Sequence, residues 1–368
     1  MLYPKVVKPL MFRKDPEEAH HLTMNLMKKL GSLAAGRAVL KAMYGYQGNS
    51  RLKQRLWGID FSNPVGLAAG LDKNGEAIPG FSCIGFGYLE IGTLTPKPQP
   101  GNELPRLFRL IEDEALINRM GFNNLGVEEA ARQLALVTYR PIPLGVNIGK
   151  NKGTPNEAAV EDYRACIKGL YAHGDYFVIN ISSPNTPGLR NLQHGEELKL
   201  LLSGVMDEVK LQKQQYPGSK DKPVLVKLAP DVTFEELETM VESILSTPIS
   251  GIIATNTTLG REGLQSKHRE QAGGLSGRPL TKKSTEVIEQ IYRLTKGQLP
   301  IIGVGGIFNG QDAYDKICAG ANLVQIYTGL IYEGPGVVSK INEELLQLLE
   351  ADGFKHISEA IGSKAQLI

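Results

Sequence analysis

The stretch Tyr176-Phe177-Val178-Ile179-Asn180-Ile181-Ser182-Ser183-Pro184-Asn185-Thr186-Pro187-Gly188 begins as a buried strand and ends as a polar loop. Successive side chains of a strand point to opposite faces. If Ile179 and Ile181 face outward, then Val178, Asn180 and Ser182 face an interior. Seven further runs share this texture, at residues 64–69, 88–93, 144–148, 224–228, 251–255, 300–304 and 323–327. Most are bounded by Gly, Pro, Asn or Ser. Helix-compatible segments separate them, most clearly at 156–172, 198–215, 233–246 and 282–294. Strand–helix alternation repeated eight times predicts an α/β fold, a (β/α)8 TIM barrel. A doubly wound open sheet would need a GxGxxG turn after its first strand, and the sequence has none there.

The same alternation turns Lys227 of strand five and Asn147 of strand three inward. Three strands thus send polar groups toward an apolar axis, where an unpaired group costs a few kcal/mol. The groups either satisfy one another or face a bound polar ligand, and Lys227 favours the ligand. Further polar or glycine residues follow the strand ends: Gly70, Asp72 and Lys73 after strand one, Thr93 at strand two, Asn256 and Thr257 after strand six. Barrel enzymes build their sites on this face. Strands seven and eight end in Gly303-Val304-Gly305-Gly306 and Tyr327-Thr328-Gly329. Bare glycine amides at that position form a phosphate site. Ser183 is the best reacting group, but no GxSxG elbow surrounds it, so a hydrolase triad is unsupported. The segment 257–280 is long for a connection, as binding loops on barrels often are.

The chain has 368 residues and a formal net charge of +2, so a nucleic-acid partner is not expected. Three scattered cysteines and six histidines show no metal-ligand spacing, and no metal is expected. No apolar run is long enough to cross a bilayer, and no signal peptide is recognisable. Charge is nevertheless uneven. From Met1 to Leu56, eleven Lys and Arg stand against Asp15, Glu17 and Glu18, leaving +8. Asp15-Pro16 caps a helix that carries Leu22, Leu26, Met27 and Leu30 at helical spacing, with Gly31 as the expected stop. A second short helix is expected around 34–43. This segment is either a helix pair packed on the barrel or a membrane-surface module.

Several stretches then resemble one family in order and spacing. They are Asn118-Arg119-Met120-Gly121-Phe122-Asn123-Asn124, Asn180 through Gly188, Val226-Lys227-Leu228-Ala229-Pro230-Asp231, Ala254-Thr255-Asn256-Thr257-Thr258 and Gly273 through Pro279. They resemble dihydroorotate dehydrogenases, and the likeness runs to about residue 345. Class 1 enzymes carry a cysteine where this chain has Ser183. Class 2 enzymes carry a serine and an N-terminal helical extension, associate with membranes and reduce quinone. The resemblance implies three parts: a helical, membrane-associating quinone segment over residues 1–45, an FMN-binding barrel over 46–345, and a tail over 346–368 without an assigned role.

The resemblance also implies residue roles. FMN is expected to contact Ala69, Gly70, Leu71, Asp72, Lys73, Thr93, Asn147, Asn180, Lys227 and Thr255, with its phosphate at Gly277, Gly306, Tyr327 and Thr328. Dihydroorotate is expected at Lys73, Asn118, Arg119, Met120, Gly121, Phe122, Asn180, Asn185, Asn256 and Thr257. Ser183 would take the C5 proton while FMN accepts hydride from C6, giving orotate for pyrimidine synthesis. Phe122 and Thr186 would seal the site and relay the proton. His20 and Arg109 would line a quinone tunnel. The implied partners are a membrane quinone, ubiquinone or menaquinone, and an anionic membrane surface. The implied setting is the cytoplasmic side of a bacterial inner membrane, with the chain peripheral and monomeric. Two other readings rest on the residues alone: a Schiff-base aldolase or phosphosugar isomerase using Lys227, and a non-enzymatic membrane-recruited barrel.

Overall fold

A computed structural model describes residues 3–365. Eight parallel strands close into a barrel: β1 (Val65–Leu67), β2 (Tyr88–Leu94), β3 (Leu144–Ile148), β4 (Tyr176–Asn180), β5 (Val224–Leu228), β6 (Gly251–Ala254), β7 (Ile301–Val304) and β8 (Leu323–Ile326). They lie in sequence order around the ring, with β8 pairing back onto β1. The eight expected strands and the four clearest expected helices are all present, with bounds shifted by a few residues.

Each strand separates two apolar regions. Tyr88, Tyr176, Val178, Leu225, Ile253, Ile302 and Leu323 fill the barrel interior. Ile91, Val146, Ile179, Val226 and Ile252 pack outward against the helices. A hairpin, Gln54–Leu56 with Ile59–Phe61, plugs the lower end. Its two-residue turn, Trp57-Gly58, has positive φ at both positions (54° and 74°). That is the turn whose twist matches a tight hairpin. Phe61 enters the inner core, and the Trp57 indole donates to the Ser250 carbonyl at 2.7 Å.

The upper end carries an element that the sequence reading did not contain. Leu107–Leu110, Ala115–Asn118 and Gly274–Gly277 form an antiparallel sheet over the barrel mouth. The long segment 257–280 therefore holds a strand.

After a short helical stretch, Tyr3–Val7 and Lys8–Phe12, two longer helices precede the barrel, α1 (Pro16–Ser32) and α2 (Ala34–Tyr44). Asp15 caps α1 by accepting from the Glu17 and Glu18 amides at 2.9 and 3.2 Å. Gly31 does not end α1. It is a point of close approach, because a Cβ there would lie 2.4 Å from the Gly80 nitrogen. The Leu22, Leu26, Met27, Leu30 stripe also divides. Met24 and Met27 are buried against the barrel, whereas Leu22 and Leu26 are 44% and 55% exposed. Helix Val337–Ala351 continues across residue 345, and Leu349, Ile357 and Ala360 are fully buried beyond it. Of the expected tail, residues 366–368 lie outside the described residues.

Candidate active site

The strand ends, the antiparallel cover and the glycine loops enclose an open cleft. Most of the expected residues line it: Ala69, Gly70, Lys73, Thr93, Asn118, Met120, Gly121, Phe122, Asn180, Ser183, Asn185, Lys227, Thr255, Asn256, Thr257, Gly277, Gly306, Tyr327 and Thr328. Most lie at or just beyond the C-terminal ends of the barrel strands, while Asn118 to Phe122 and Gly277 are brought over the mouth by the antiparallel cover.

Other expected residues stand back. Leu71 packs into the outer core. Both oxygens of Asp72 are occupied, accepting from the Glu76 and Ala77 amides at 2.8 Å each. Asn147 lies under the floor, where its Oδ1 accepts from Thr93 Oγ1 at 2.6 Å and Asn180 Nδ2 at 3.1 Å. The Arg119 guanidinium turns away, donating to Gln271 Oε1 and covering the Phe108 ring. Thr186 is buried behind the cleft, and its hydroxyl has no protein partner. His20 lies on α1 itself, and Arg109 on the cover strand Leu107–Leu110 beneath the start of that helix. Arg109 donates to the carbonyls of Phe12 and Lys14, bracing the turn into α1.

Two contrasting ends make up the cleft. At one, Gly277 and Gly306 have φ of 102° and 68°, and a Cβ on Gly306 would strike Thr281 Oγ1 at 2.0 Å. Only glycine fits against the neighbouring protein at these positions, so the amides there carry no side chain. Thr328 opens a short helix beside them, and its hydroxyl contacts Ser276 Oγ at 2.9 Å. At the other end stand the amides of Asn118, Asn180, Asn185 and Asn256. Asn185 Nδ2 donates to Asn118 Oδ1 at 3.3 Å, and Asn256 Nδ2 to Asn180 Oδ1 at 3.3 Å. Amides offer both donor and acceptor, as a cyclic imide requires.

Ser183 sits at the rim of the amide end, nearly buried, and its Oγ accepts the Asn185 amide at 3.2 Å. The opposing loop is held in an unusual shape. Phe122 has φ 53°, in the left-handed region. Its carbonyl is fixed by Gln99 Nε2 at 3.1 Å and Asn124 Nδ2 at 2.7 Å. Burial pushes the Lys73 pKa down to about 8, with Glu17 opposing the fall. Burial also lowers the Lys227 pKa, opposed by Glu90. Burial, then Lys73 and His21, push His20 down to about 3, so its imidazole is neutral.

The sequence reading missed three groups. Glu90 and Gln325 lie in the barrel interior, fully buried. Arg106 forms a bidentate pair with Glu17 of α1, at 2.7 Å from its Nη2 and 3.1 Å from its Nε to the nearest carboxylate oxygens. It also donates to the Pro100 and Asn102 carbonyls. Inward alternation along β2 could have flagged Glu90. Nothing local could have paired Glu17 with Arg106.

The residues fit a planar, phosphate-bearing cofactor. Glycine amides stand at one end, an inward lysine at the middle, and buried polar atoms without protein partners remain at Asn123 Oδ1 and Gln325 Oε1 on the cleft wall. Among the described residues no His, Cys, Asp and Glu cluster could hold a metal ion.

Comparison with known proteins agrees with this geometry. Residues 51–349 match the family model described as dihydroorotate dehydrogenase. A dihydroorotate dehydrogenase (quinone) of Deinococcus deserti is 53% identical, covering 99% of this chain and all of the relative. That of Deinococcus radiodurans is 52% identical over 97% of this chain and 99% of its own. The crystal structure of ligand-free DHODH from Eimeria tenella superposes with a TM-score of 0.87 at 42% identity, covering 96% of this chain and all of that one. The same protein in complex with ferulenol gives 0.86 at 40% identity, covering 95% and 96%. Barrel, cleft and sequence together place this chain in the dihydroorotate dehydrogenase family.

Proposed function

We infer that this chain oxidises dihydroorotate to orotate in pyrimidine synthesis and passes the electrons to a membrane quinone. The observation that carries the reading is one cleft holding a glycine phosphate cradle, an inward Lys227 and an amide cluster around Ser183. FMN bound there supplies the acceptor for hydride from C6 and the donor of two electrons to quinone. Its phosphate is assigned to Gly277, Gly306, Tyr327 and Thr328, and its ring to Ala69, Gly70, Thr93, Asn180, Lys227 and Thr255, with Leu71, Asp72 and Asn147 supporting from behind.

The chain's own residues then do the following. Lys73 faces the substrate carboxylate. Asn118, Asn180, Asn185 and Asn256, with Thr257 and the backbone of Arg119 to Gly121, orient the ring. Ser183 takes the C5 proton. A serine is a weak base, so donors aimed at the C4 carbonyl must stabilise charge developing there. Phe122 shuts out water, and the proton leaves past Thr186, whose unpaired buried hydroxyl suits a relay. Lys227, lining the cleft, would hold positive charge against the bound cofactor.

Residues 1–45 are read as the quinone segment and 46–345 as the barrel, with the tail from 346 beginning inside helix Val337–Ala351 and packing onto the barrel. The neutral His20 and the braced Arg109 flank the quinone path. Leu10, Leu22, Leu26, Leu33, Val39 and Met43 are exposed among Lys14, Lys28, Lys29, Arg37 and Lys41. This pattern suits a peripheral chain resting on an anionic leaflet, at about 1 kcal/mol per basic residue near the surface. No helix of the described residues is long and apolar enough to cross a membrane. The chain is read as a monomer on the cytoplasmic side of an inner membrane.

The test is to incubate the full chain with dihydroorotate and a long-chain quinone in anionic vesicles and quantify both products. Orotate and quinol should form in equal amounts. No orotate above background would overturn the reading.

A further inference from the structure

Glu90 lies in β2 at the heart of the barrel, fully buried, and does not line the cleft. Burying a carboxylate costs several kcal/mol unless its oxygens are satisfied. Here both are. Oε1 accepts Asn147 Nδ2 at 2.8 Å, and Oε2 accepts Gln325 Nε2 at 2.6 Å. The Tyr176 hydroxyl also faces the carboxylate.

A carboxylate can only accept, whereas an amide can face either way. Glu90 therefore dictates the orientation of everything above it. Asn147 must turn its NH2 down and its Oδ1 up. That oxygen takes Thr93 Oγ1 and Asn180 Nδ2, at 2.6 and 3.1 Å. Asn180 Nδ2 also donates to Thr93 Oγ1 at 3.0 Å. Asn180 then has only its Oδ1 to offer upward, where it accepts Asn256 Nδ2 at 3.3 Å. The chain Glu90–Asn147–Asn180–Asn256 runs in one direction, from a buried anion to the substrate end of the cleft. Gln325 is the second anchor and lines the cleft itself.

We propose that Glu90 is a positioning residue whose buried negative charge sets the donor and acceptor polarity of the amide chain and lowers the reduction potential of the cofactor bound above it. The inference rests on the flavin reading given above. It adds a residue outside the contact shell that acts through Asn147, Gln325 and Lys227. Glu90 also opposes the burial that would strip Lys227 of its proton, so the two charges work as a pair across the barrel axis.

Glu90→Gln keeps the shape but removes the charge, and its amide allows the chain to run in either direction. The experiment measures the midpoint potential of the bound flavin and the affinity of the oxidised protein for orotate. In Glu90→Gln the two-electron equilibrium should move toward reduced flavin by about tenfold, which is about 30 mV. Orotate should bind at least severalfold more weakly. Glu90→Asp keeps the charge, so its potential should stay near the wild-type value. A purely structural role for Glu90 would lower thermal stability and leave the potential in place. If Glu90→Gln holds FMN at the wild-type potential, the inference is wrong. If Glu90→Gln does not fold, Asn147→Leu, which cuts the amide chain above the anion, decides alone, with orotate binding at least severalfold weaker supporting the inference and wild-type binding overturning it. A wild-type chain that neither holds FMN nor is reduced by dihydroorotate overturns the functional reading, and this inference with it.

Discussion

Ser183 presents a nearly buried hydroxyl that neither a histidine nor a carboxylate contacts among the described residues. Its basicity must come from the site around the substrate. Ser183→Ala should hold FMN normally yet be reduced by dihydroorotate roughly 10²- to 10⁴-fold more slowly, the usual size of a lost general base. Stopped-flow bleaching measures this, and a near wild-type rate would remove Ser183 from the mechanism. Lys73 gives a pH signature. An ordinary lysine stays charged to well above pH 9, but burial brings this one to about 8. Rising pH through 8 therefore removes the cation that faces the anionic ligand. Orotate affinity should fall between pH 8 and 9, and Lys73→Arg, which keeps its charge, should flatten that fall. A wild-type affinity flat across this range would argue against the pairing. Lys227, Asn180 and Asn147 were legible because strict alternation turns them inward. The role of Glu90 was not, since its partners lie 57 and 235 residues away.

Helix α1 has one face on the barrel through Met24, Met27 and the Gly31–Gly80 contact, and another face bare. Its composition and cap were readable in the sequence, because Asp15-Pro16 and the leucine spacing are local signals. The division of the stripe was not, because which face packs depends on Gly80 and Pro79, some 50 residues on. The Glu17–Arg106 pair adds a complication. Arg106 also closes the loop that carries Asn102, and Asn102 Nδ2 donates to the Arg119 and Asn185 carbonyls. Deleting the N-terminal segment would strand a largely buried arginine, which costs about 3–5 kcal/mol when such a pair is broken. Point changes on the bare face are the cleaner probe. Leu22→Ser with Leu26→Ser should weaken co-sedimentation with anionic vesicles at least severalfold. Salt should weaken wild-type binding as well, because the Debye length falls from about 10 Å at 0.1 M to about 3 Å at 1 M. Wild-type protein that ignores anionic vesicles at low salt would make these helices a structural cap only.

Taken whole, the molecule gathers its cleft at the barrel mouth and packs two longer helices beside it. The barrel itself was predictable from eight buried runs punctuated by breakers, because parallel strands covered on both faces are apolar throughout. The cover sheet was not. Leu107–Leu110, Ala115–Asn118 and Gly274–Gly277 are too short to show a period, and the third joins the second from about 160 residues away. That sheet closes the cleft over Ser183 and the amide cluster, so the substrate end could be placed from motifs but not enclosed. The central claim is that one cleft holds FMN and passes electrons from dihydroorotate to it. The most direct measurement is an anaerobic spectrum of the full-length protein as purified, before and after stoichiometric dihydroorotate, then after a long-chain quinone. The account predicts an oxidised flavin spectrum that bleaches with one equivalent of dihydroorotate and returns with quinone. A colourless protein, or a flavin that dihydroorotate does not bleach, would contradict it.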